Sequence, residues 1–190
     1  IAGDVCTRGC RFCAVNTAKT PPPLNPDEPE DLATAIESMG INHAVITVVN
    51  RDDLPDGGAD HYRKCIMAVN DRCPDVGIEL LCSDLDGNLE SLKKLLNGLP
   101  IRVFAHNVEC VPRLDKIVRD RRASFLQSLE ILSEAKNLRP DLKTKTSIMV
   151  GIGETDSEVI EAMEMIRSSE VDMITLGQYL QPGGRHIPVE

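Results

Sequence analysis

The run Cys6-Thr7-Arg8-Gly9-Cys10-Arg11-Phe12-Cys13 places three cysteines within eight residues, in a C-x3-C-x2-C spacing. Such tight spacing lets one short loop surround a metal centre, because thiolates are soft ligands that suit iron–sulfur clusters, zinc or Cu(I). A structural zinc site needs a fourth ligand, usually from a second Cys or His pair at short spacing, and no such pair follows. Three thiolates instead favour a [4Fe–4S] cluster that leaves one iron open to a small molecule.

The cysteine run resembles the motif of the radical S-adenosylmethionine (SAM) superfamily, in which the residue before the last cysteine is aromatic. Phe12 fills that position. The resemblance implies that the amino and carboxylate groups of SAM bind the open iron. Three unconnected thiols are the alternative, but chance rarely places three cysteines and an aromatic residue in so short a run.

Composition limits the other classes of function. The chain has 190 residues, of which 42% are hydrophobic, so we expect residues 1–190 to form one core domain. Its net charge of −9 predicts no nucleic-acid or anionic-membrane partner, and it has no run of 18 apolar residues and no signal-peptide pattern. Seven cysteines are an odd number for a disulfide framework. Reduced thiols and an oxygen-sensitive cluster predict the cytoplasm or, alternatively, a mitochondrial or plastid matrix.

Short β-branched apolar runs alternate with helical patterns along the chain, which predicts repeated βα units and an α/β fold. The segments predicted as buried parallel strands are Ile1–Asp4, His43–Val49, Val76–Cys82, Ile101–Ala105, Lys143–Val150 and Met173–Gly177. With helical crossovers, these would curl into a partial (βα)6 TIM-like barrel of the radical SAM type. In such folds the chemistry gathers at the C-terminal ends of the strands, so polar residues there are candidates for a site.

Polar loops follow the predicted strands, and with the cysteine run they resemble the lipoyl synthase family from about Gly3 to Val189. The matching stretches, in order, are CTRGCRFCAV, NRDDLPDGGADH, HNVECVPRL, KTKTSIMVGIGET and GQYLQPGGRH. Biotin synthase and other sulfur-inserting radical SAM enzymes share only the cysteine spacing and the barrel.

The resemblance implies a reaction with two protein partners. A ferredoxin- or flavodoxin-type donor passes one electron through the cluster, and SAM is cleaved to methionine and a 5′-deoxyadenosyl radical. The radical removes hydrogen from C6 and C8 of an octanoyl chain on a lipoyl carrier domain, either the E2 subunit of a 2-oxoacid dehydrogenase or the glycine cleavage H protein. Sulfur is inserted at both carbons. The cluster carries the hard chemistry, and the barrel positions and shields it.

The resemblance also implies roles for single residues. The expected cluster ligands are Cys6, Cys10 and Cys13. Phe12 is expected against the adenosyl group of SAM, and Gly57 and Gly58 beside its methionine part. The residues expected in the wall around SAM or the substrate are Asn107, Glu109 and Met149. Three further residues either serve the same wall or pack the barrel mouth: Gln178, Tyr179 and Gln181.

Lipoyl synthases carry a second, auxiliary [4Fe–4S] cluster that donates the sulfur. This cluster is expected in the full-length protein, but its C-x4-C-x5-C run is absent from this sequence. Arg167-Ser168-Ser169 ends a predicted helix and is not expected to supply the serine ligand of the cluster.

The other cysteines are isolated and are expected to be small buried residues: Cys65, Cys73, Cys82 and Cys110. The resemblance therefore implies the SAM-cleaving core of a lipoyl synthase. The alternatives are another radical SAM enzyme without an auxiliary cluster, or an iron–sulfur electron-transfer module.

Overall fold

The computed structural model describes residues 1–190, and a parallel five-stranded sheet is its central feature. Two short strands, β1 (Val5–Cys6) and β2 (Asn16–Thr17), pair separately beside the cysteine run. The main sheet contains β3 (His43–Thr47), β4 (Gly77–Leu81), β5 (Val103–Ala105), β6 (Lys143–Val150) and β7 (Met173–Gln178). Their order in the sheet equals their order in the chain, as in a repeated βα fold. The sheet curls into a half-barrel, which confirms the predicted fold class.

Helices cover one face of this sheet. They are α1 (Glu28–Met39), α2 (Ala59–Arg72), α3 (Leu89–Leu96), α4 (Asp115–Val118), α5 (Phe125–Leu138) and α6 (Asp156–Ser168). Side chains cap several N-termini, because the first backbone amides of a helix have no partner within it. Thr155 and Glu158 form the reciprocal capping box that starts α6. No helix has both the length and the apolar character needed to cross a membrane.

The core lies between the helices and the covered face of the sheet. Ile46, Leu80 and Phe104 are in register on β3, β4 and β5, and each is at most 4% exposed. Burying side chains of this size stabilises the fold by about 1.5–3 kcal/mol each. The opposite face of the sheet is more polar, and there Lys145 Nζ lies 2.8 Å from Glu79 Oε1. The site therefore forms on the uncovered face and at the strand ends.

The prediction of a strand at Ile1–Asp4 is wrong, so the sheet has five strands rather than six. The segment does run beside β3, since Val49 N donates to Ile1 O at 3.2 Å. Ala2 and Gly3 then adopt φ angles of 68° and 88°, in the left-handed region that ends an extended chain. The other five predicted strands are confirmed as strands, with ends within two residues of those observed. The prediction that β7 is buried is wrong, because it is the edge strand of the sheet and each of its residues is exposed.

Candidate functional site

A cavity of about 190 Å³ opens at the C-terminal ends of β3, β4 and β5, where the cysteine loop folds over the sheet. Its wall includes Cys6, Cys10, Cys13 and Phe12, as the sequence indicated. The carboxyl ends of parallel strands meet at one edge of a sheet, so distant loops contribute side chains to the same wall. The strand-end residues in the wall are Thr47, Val48, Val49, Asn50, Leu81, Cys82, Ser83, His106, Asn107 and Glu109, and the rest are Arg8, Val15 and Arg119.

The three cysteines of the loop are free thiols, each half-buried. Arg8 N donates to Cys6 Sγ at 3.4 Å, and Asp120 N donates to Cys10 Sγ at 3.3 Å. Burial raises the pKa of Cys10 to about 11, so it is a thiol at neutral pH until a metal displaces its proton. Soft donors on one wall, with amides directed at two of the sulfurs, fit a thiolate-bound [4Fe–4S] cluster with one open iron.

Arg8 anchors the cysteine loop to the ends of two strands. Its side chain is buried and donates from Nη2 to Asp52 Oδ1 at 2.8 Å and from Nη1 to Asp84 Oδ2 at 2.7 Å. Asp84 is fully buried and also accepts from Gln127 Nε2 at 2.8 Å. Burial opposes charge on both groups, but their pairing outweighs it and moves the pKa of Arg8 above, and the pKa of Asp84 below, its ordinary value. Both are ionised, and together they fix the loop.

A second set of contacts holds the same loop from its outer side. Thr7 Oγ1 donates to Asp52 Oδ2 at 2.6 Å, and Arg122 Nη2 donates to Thr7 O at 2.6 Å. Gly9 N donates to Asp120 Oδ2 at 3.0 Å. Hydrogen bonding from Arg122 holds the pKa of Asp120 well below its usual range. The loop is thus tied down on both sides before any ligand binds.

Glu109, in the cavity wall, has a left-handed backbone conformation. Its φ is 69°, which is uncommon for a residue with a side chain. The strain is sustained by β6, because Glu109 N donates to Ser147 O at 3.1 Å and Met149 N donates to Glu109 O at 2.8 Å. Burial raises the pKa of Glu109, while the nearby charge of Arg119 acts against this. Strain of this kind concentrates at functional sites and here puts a carboxyl group in the cavity wall.

A buried polar chain connects the wall to α5. Arg119 Nη2 donates to Ser128 Oγ at 2.9 Å, and the same hydroxyl lies 2.9 Å from His106 Nε2. His106 Nδ1 lies 2.8 Å from Cys82 O. A carbonyl can only accept, so Nδ1 carries the proton and Nε2 accepts from Ser128. Burial lowers the pKa of His106 to about 4, which leaves Arg119 as the cationic member of this chain.

We expect His106 to make the stability of the cluster-free chain depend on pH. Its ordinary pKa of 6.5 applies in the unfolded state and falls to about 4 on folding. The unfolded chain therefore takes up the proton first, and about 3 kcal/mol of stability present above pH 6.5 is lost as the pH falls to 4. Urea unfolding at several pH values should show a flatter dependence for His106→Gln. Parallel curves for the two proteins would contradict the assignment.

Gly57 and Gly58 lie outside the cavity wall. They form the turn that starts α2, with φ angles of 65° and 93°. A Cβ at Gly58 would lie 2.8 Å from the ring of Tyr62, whose hydroxyl donates to Gly57 O at 2.9 Å. A Cβ at Gly57 would lie 3.3 Å from Leu85, so positive φ angles and close packing explain both glycines without a ligand. A role for them beside SAM stays a prediction.

The other predicted residues are also absent from the wall. Met149 supports Glu109 through its backbone amide. Side chains of the C-terminal segment donate to nearby backbone carbonyls and pack this part of the chain: Gln178, Tyr179 and Gln181. Ser168 and Ser169 donate to carbonyls one turn earlier in α6, which fits their position at the end of a helix.

Glu28, His61 and Cys65 form a separate cluster, with their potential ligand atoms within 4.8 Å of one another. Glu28 Oε2 accepts from Ala2 N at 2.8 Å and lies beside His61 Nε2, and Glu28 Oε1 accepts from Gly3 N at 3.3 Å. The carboxylate is therefore satisfied by hydrogen bonds from protein groups. Its role is to hold the left-handed turn at Ala2 and Gly3 that leads into the cysteine loop.

We expect Cys65→Ala to leave the iron and sulfide content of the reconstituted chain unchanged. Cys65 is a fully buried residue of α2 and does not line the cavity that contains the cysteine loop. Metal analysis of this variant, with Cys73→Ala as the matched control, checks the expectation. A selective loss of metal in Cys65→Ala would make the Glu28 cluster a second metal site.

Arg8, Asp84, Arg119 and Ser128 were not predicted from the sequence. The only local signals were an acidic residue just after β4 and the arginine-rich stretch 119–122. Neither signal identifies a partner, because the contacting residues are far apart in the chain. Arg8 and Asp84, for example, are separated by 76 positions.

Comparison with known proteins agrees with this geometry. A family model described as the radical SAM superfamily matches residues 1–166. The chain is 50% identical to the mitochondrial lipoyl synthase of Bos taurus and 52% identical to the chloroplastic lipoyl synthase of Arabidopsis thaliana, in each case over all of this chain. It covers 51% and 48% of those proteins, so it spans about half the length of the curated relatives that it matches.

Among solved structures, methylornithine synthase superposes with a TM-score of 0.77 at 15% identity, over 98% of this chain and 56% of that one. At this identity the likeness shows the fold alone. The family match covers most of the chain and includes the cysteine run. The chain therefore belongs to the radical SAM superfamily, and over its whole length it is similar to lipoyl synthases.

Proposed function

We propose that this chain carries the SAM-cleaving core of a lipoyl synthase, with residues 1–190 as one core domain. The radical SAM and lipoyl synthase families use a [4Fe–4S] cluster and SAM. We assign Cys6, Cys10 and Cys13 as the cluster ligands. The observation that carries the proposal is the single cavity that joins these three thiols to the polar ends of three parallel strands.

The residues around the cluster would bind and orient SAM. When bound, the cluster supplies the electron that cleaves the sulfonium of SAM. Phe12 offers an aromatic surface to the adenosyl group, and Asn107 and Glu109 offer an amide and a carboxyl group to its polar atoms. Gly57 and Gly58 are proposed to lie beside the methionine part of SAM, and Met149 is proposed to support the wall through the backbone of Glu109.

The apolar part of the wall would shield the reaction from water. Val48, Val49 and Leu81 line the cavity beside the cysteines. A primary carbon radical attacks any accessible C–H bond, so a closed, dry cavity limits side reactions. We propose that the substrate is an octanoyl chain linked to a lysine of a carrier domain, with hydrogen removed at C6 and C8 and sulfur inserted there. The sulfur would come from the auxiliary [4Fe–4S] cluster of the whole protein.

The partners and the compartment follow from this reaction. We propose an octanoylated E2 subunit or glycine cleavage H protein as the substrate, and a ferredoxin- or flavodoxin-type protein as the electron donor. The proposed compartment is reducing, either the cytoplasm or an organelle matrix. The names of the two relatives compared above, mitochondrial and chloroplastic, support the matrix.

Anaerobic reconstitution tests the proposal. We expect about four irons and four sulfides per chain, as for one cubane cluster, and formation of 5′-deoxyadenosine from SAM and dithionite. A peptide with an octanoyl-lysine deuterated at C6 and C8 should transfer deuterium into the deoxyadenosine, whereas the same peptide without the octanoyl group should not. Deoxyadenosine without deuterium would favour another radical SAM enzyme. A chain that takes up no iron would contradict the cluster assignment.

A further inference from the structure

Four exposed basic residues lie around the outside of the cysteine loop and define what we call the basic rim: Arg11, Lys116, Arg121 and Arg185. None of them belongs to an ion pair, and none lines the cavity. The chain as a whole has 21 Lys and Arg against 30 Asp and Glu. An unpaired basic group on so acidic a protein points to a specific partner surface.

Backbone contacts bring the three segments of the rim together. Arg11 N donates to Val118 O at 2.8 Å, and Arg11 Nη1 donates to Ile117 O at 3.2 Å. From the other side, Ile187 N donates to Arg11 O at 3.3 Å. Arg11 is thus the centre of the rim, with the Lys116 segment and the Arg185 segment in contact with it.

The acidic residues of these segments do not cancel the positive charge. Residues 9–12, 115–122 and 183–187 contain six basic residues and two acidic ones, Asp115 and Asp120. Asp115 accepts from Phe125 N and pairs with Arg119. Asp120 accepts from Gly9 N and pairs with Arg122. Both carboxylates are turned to internal partners, so the outward surface stays positive.

An exposed apolar side chain lies within the rim. Ile117 is 49% exposed, follows Lys116 in the chain, and accepts from Arg11 Nη1 through its own carbonyl. A small apolar centre with a charged periphery is the usual composition of a protein docking surface. Complementary charge at such a surface raises the rate of association and selects the partner.

We propose that the basic rim is the docking surface for an acidic one-electron carrier protein. The inference rests on the proposed function, because it assumes a cluster on Cys6, Cys10 and Cys13. Arg11 lies between Cys10 and Cys13 on the outer side of the loop, so a carrier bound there is separated from the cluster only by the loop. The carrier is oxidised by one electron and the cluster is reduced by one, with no bond formed or broken at the interface.

Charge reversal tests the rim with a matched control. The rim variant carries Lys116→Glu, Arg121→Glu and Arg185→Glu and keeps Arg11, whose side chain ties the loop to Ile117 O. The control carries Lys93→Glu, Lys94→Glu and Arg102→Glu, which are exposed, outside any ion pair, and at the opposite ends of the strands. Both variants change the net charge equally, so a general electrostatic effect would appear in both.

Two rates of deoxyadenosine formation are compared, one driven by dithionite and one by a reduced flavodoxin at low ionic strength. We expect the rim variant to keep the wild-type rate with dithionite, whereas its rate with flavodoxin should fall at least about tenfold. The control variant should keep both rates. The difference in flavodoxin rate between the two variants should shrink at high salt. Equal flavodoxin rates for the two variants would overturn the inference. A wild-type chain inactive with dithionite would instead overturn the proposed function.

Binding of oxidised flavodoxin to the cluster-free chain gives a readout independent of activity. Weaker binding by the rim variant than by the control supports the rim even where the proposed function fails. Equal binding by both variants overturns it. A rim variant that binds flavodoxin normally but binds an octanoylated carrier domain less tightly also overturns it, because the rim would then serve the substrate protein.

Discussion

Replacing Cys10 with alanine should abolish both the visible absorbance of the reconstituted cluster and the cleavage of SAM. Two thiolates rarely retain a cubane cluster, and Cys10 lies between the other two proposed ligands in one loop. The variant also leaves the amide of Asp120 without its sulfur acceptor. Iron analysis, absorbance and deoxyadenosine formation after anaerobic reconstitution measure the effect.

Cys82→Ala is the matched control for Cys10→Ala, because Cys82 lines the same cavity without belonging to the loop. We expect Cys82→Ala to retain iron. Its backbone carbonyl, which accepts from His106 Nδ1, is unchanged by the substitution. Retained SAM cleavage in Cys10→Ala would refute the ligand assignment. Equal loss of iron in both variants would show that the cavity, rather than the three-cysteine loop, determines assembly.

Replacing Arg8 with methionine should destabilise the chain by about 3–5 kcal/mol, because it leaves a buried carboxylate without its counter-charge. Asp84 is fully buried, and Gln127 alone would then donate to the oxygen that Arg8 contacts. Urea unfolding of the cluster-free protein near neutral pH measures the change. Apparent stability should be partly restored by combining Arg8→Met with Asp84→Asn, since the amide carries no charge.

Arg72→Met is the matched control for Arg8→Met. Arg72 also contacts two carboxylates, those of Glu30 and Glu37, but the three side chains are at the surface. Exposed ion pairs contribute about 0–1 kcal/mol, so this change should be small. If Arg8→Met and Arg72→Met cost the same free energy of unfolding, the anchoring role of Arg8 is wrong.

Much of the fold could be predicted from the sequence, because its signals are local. Strands of a parallel sheet are short apolar runs, and five of the six predicted strands are confirmed, although β7 at the edge of the sheet is exposed rather than buried. The capping box at Thr155 and Glu158 is equally local. The failure at Ile1–Asp4 has a physical cause, since the apolar pattern carries no information on the positive φ of Ala2, which Glu28 sustains from a distant helix.

The candidate site could be predicted only in part. The cysteine loop, Phe12, Asn107 and Glu109 meet in one cavity because each is tied to a recognisable strand end or spacing. The anchors of the loop could not be predicted, since pairs such as Arg8 with Asp84 depend on how the strands are arranged in space. Gly57 and Gly58 show that a pattern in the sequence can also have a purely structural explanation. Positive φ angles and close packing, of Gly57 against Leu85 and of Gly58 against Tyr62, account for these glycines without a ligand, so their role beside SAM stays a prediction.

The distribution of charge on the folded surface could not be predicted from the net charge. A net charge of −9 predicts no attraction to polyanions, yet Arg11, Lys116, Arg121 and Arg185 gather on one surface. They come from three separate segments, which meet only through the contacts of Arg11. Net charge therefore describes the average field of the protein, whereas the folded surface determines what docks beside the cysteine loop.

The most direct test of the central claim is the electron paramagnetic resonance spectrum of the reduced, reconstituted chain, recorded with and without SAM. A cluster held by Cys6, Cys10 and Cys13 alone has an open iron, so binding of SAM to that iron should change the spectrum. S-adenosyl compounds that lack the amino and carboxylate groups should leave it unchanged. A spectrum that SAM does not alter would mean that the iron has four protein ligands, and would contradict a SAM-cleaving site.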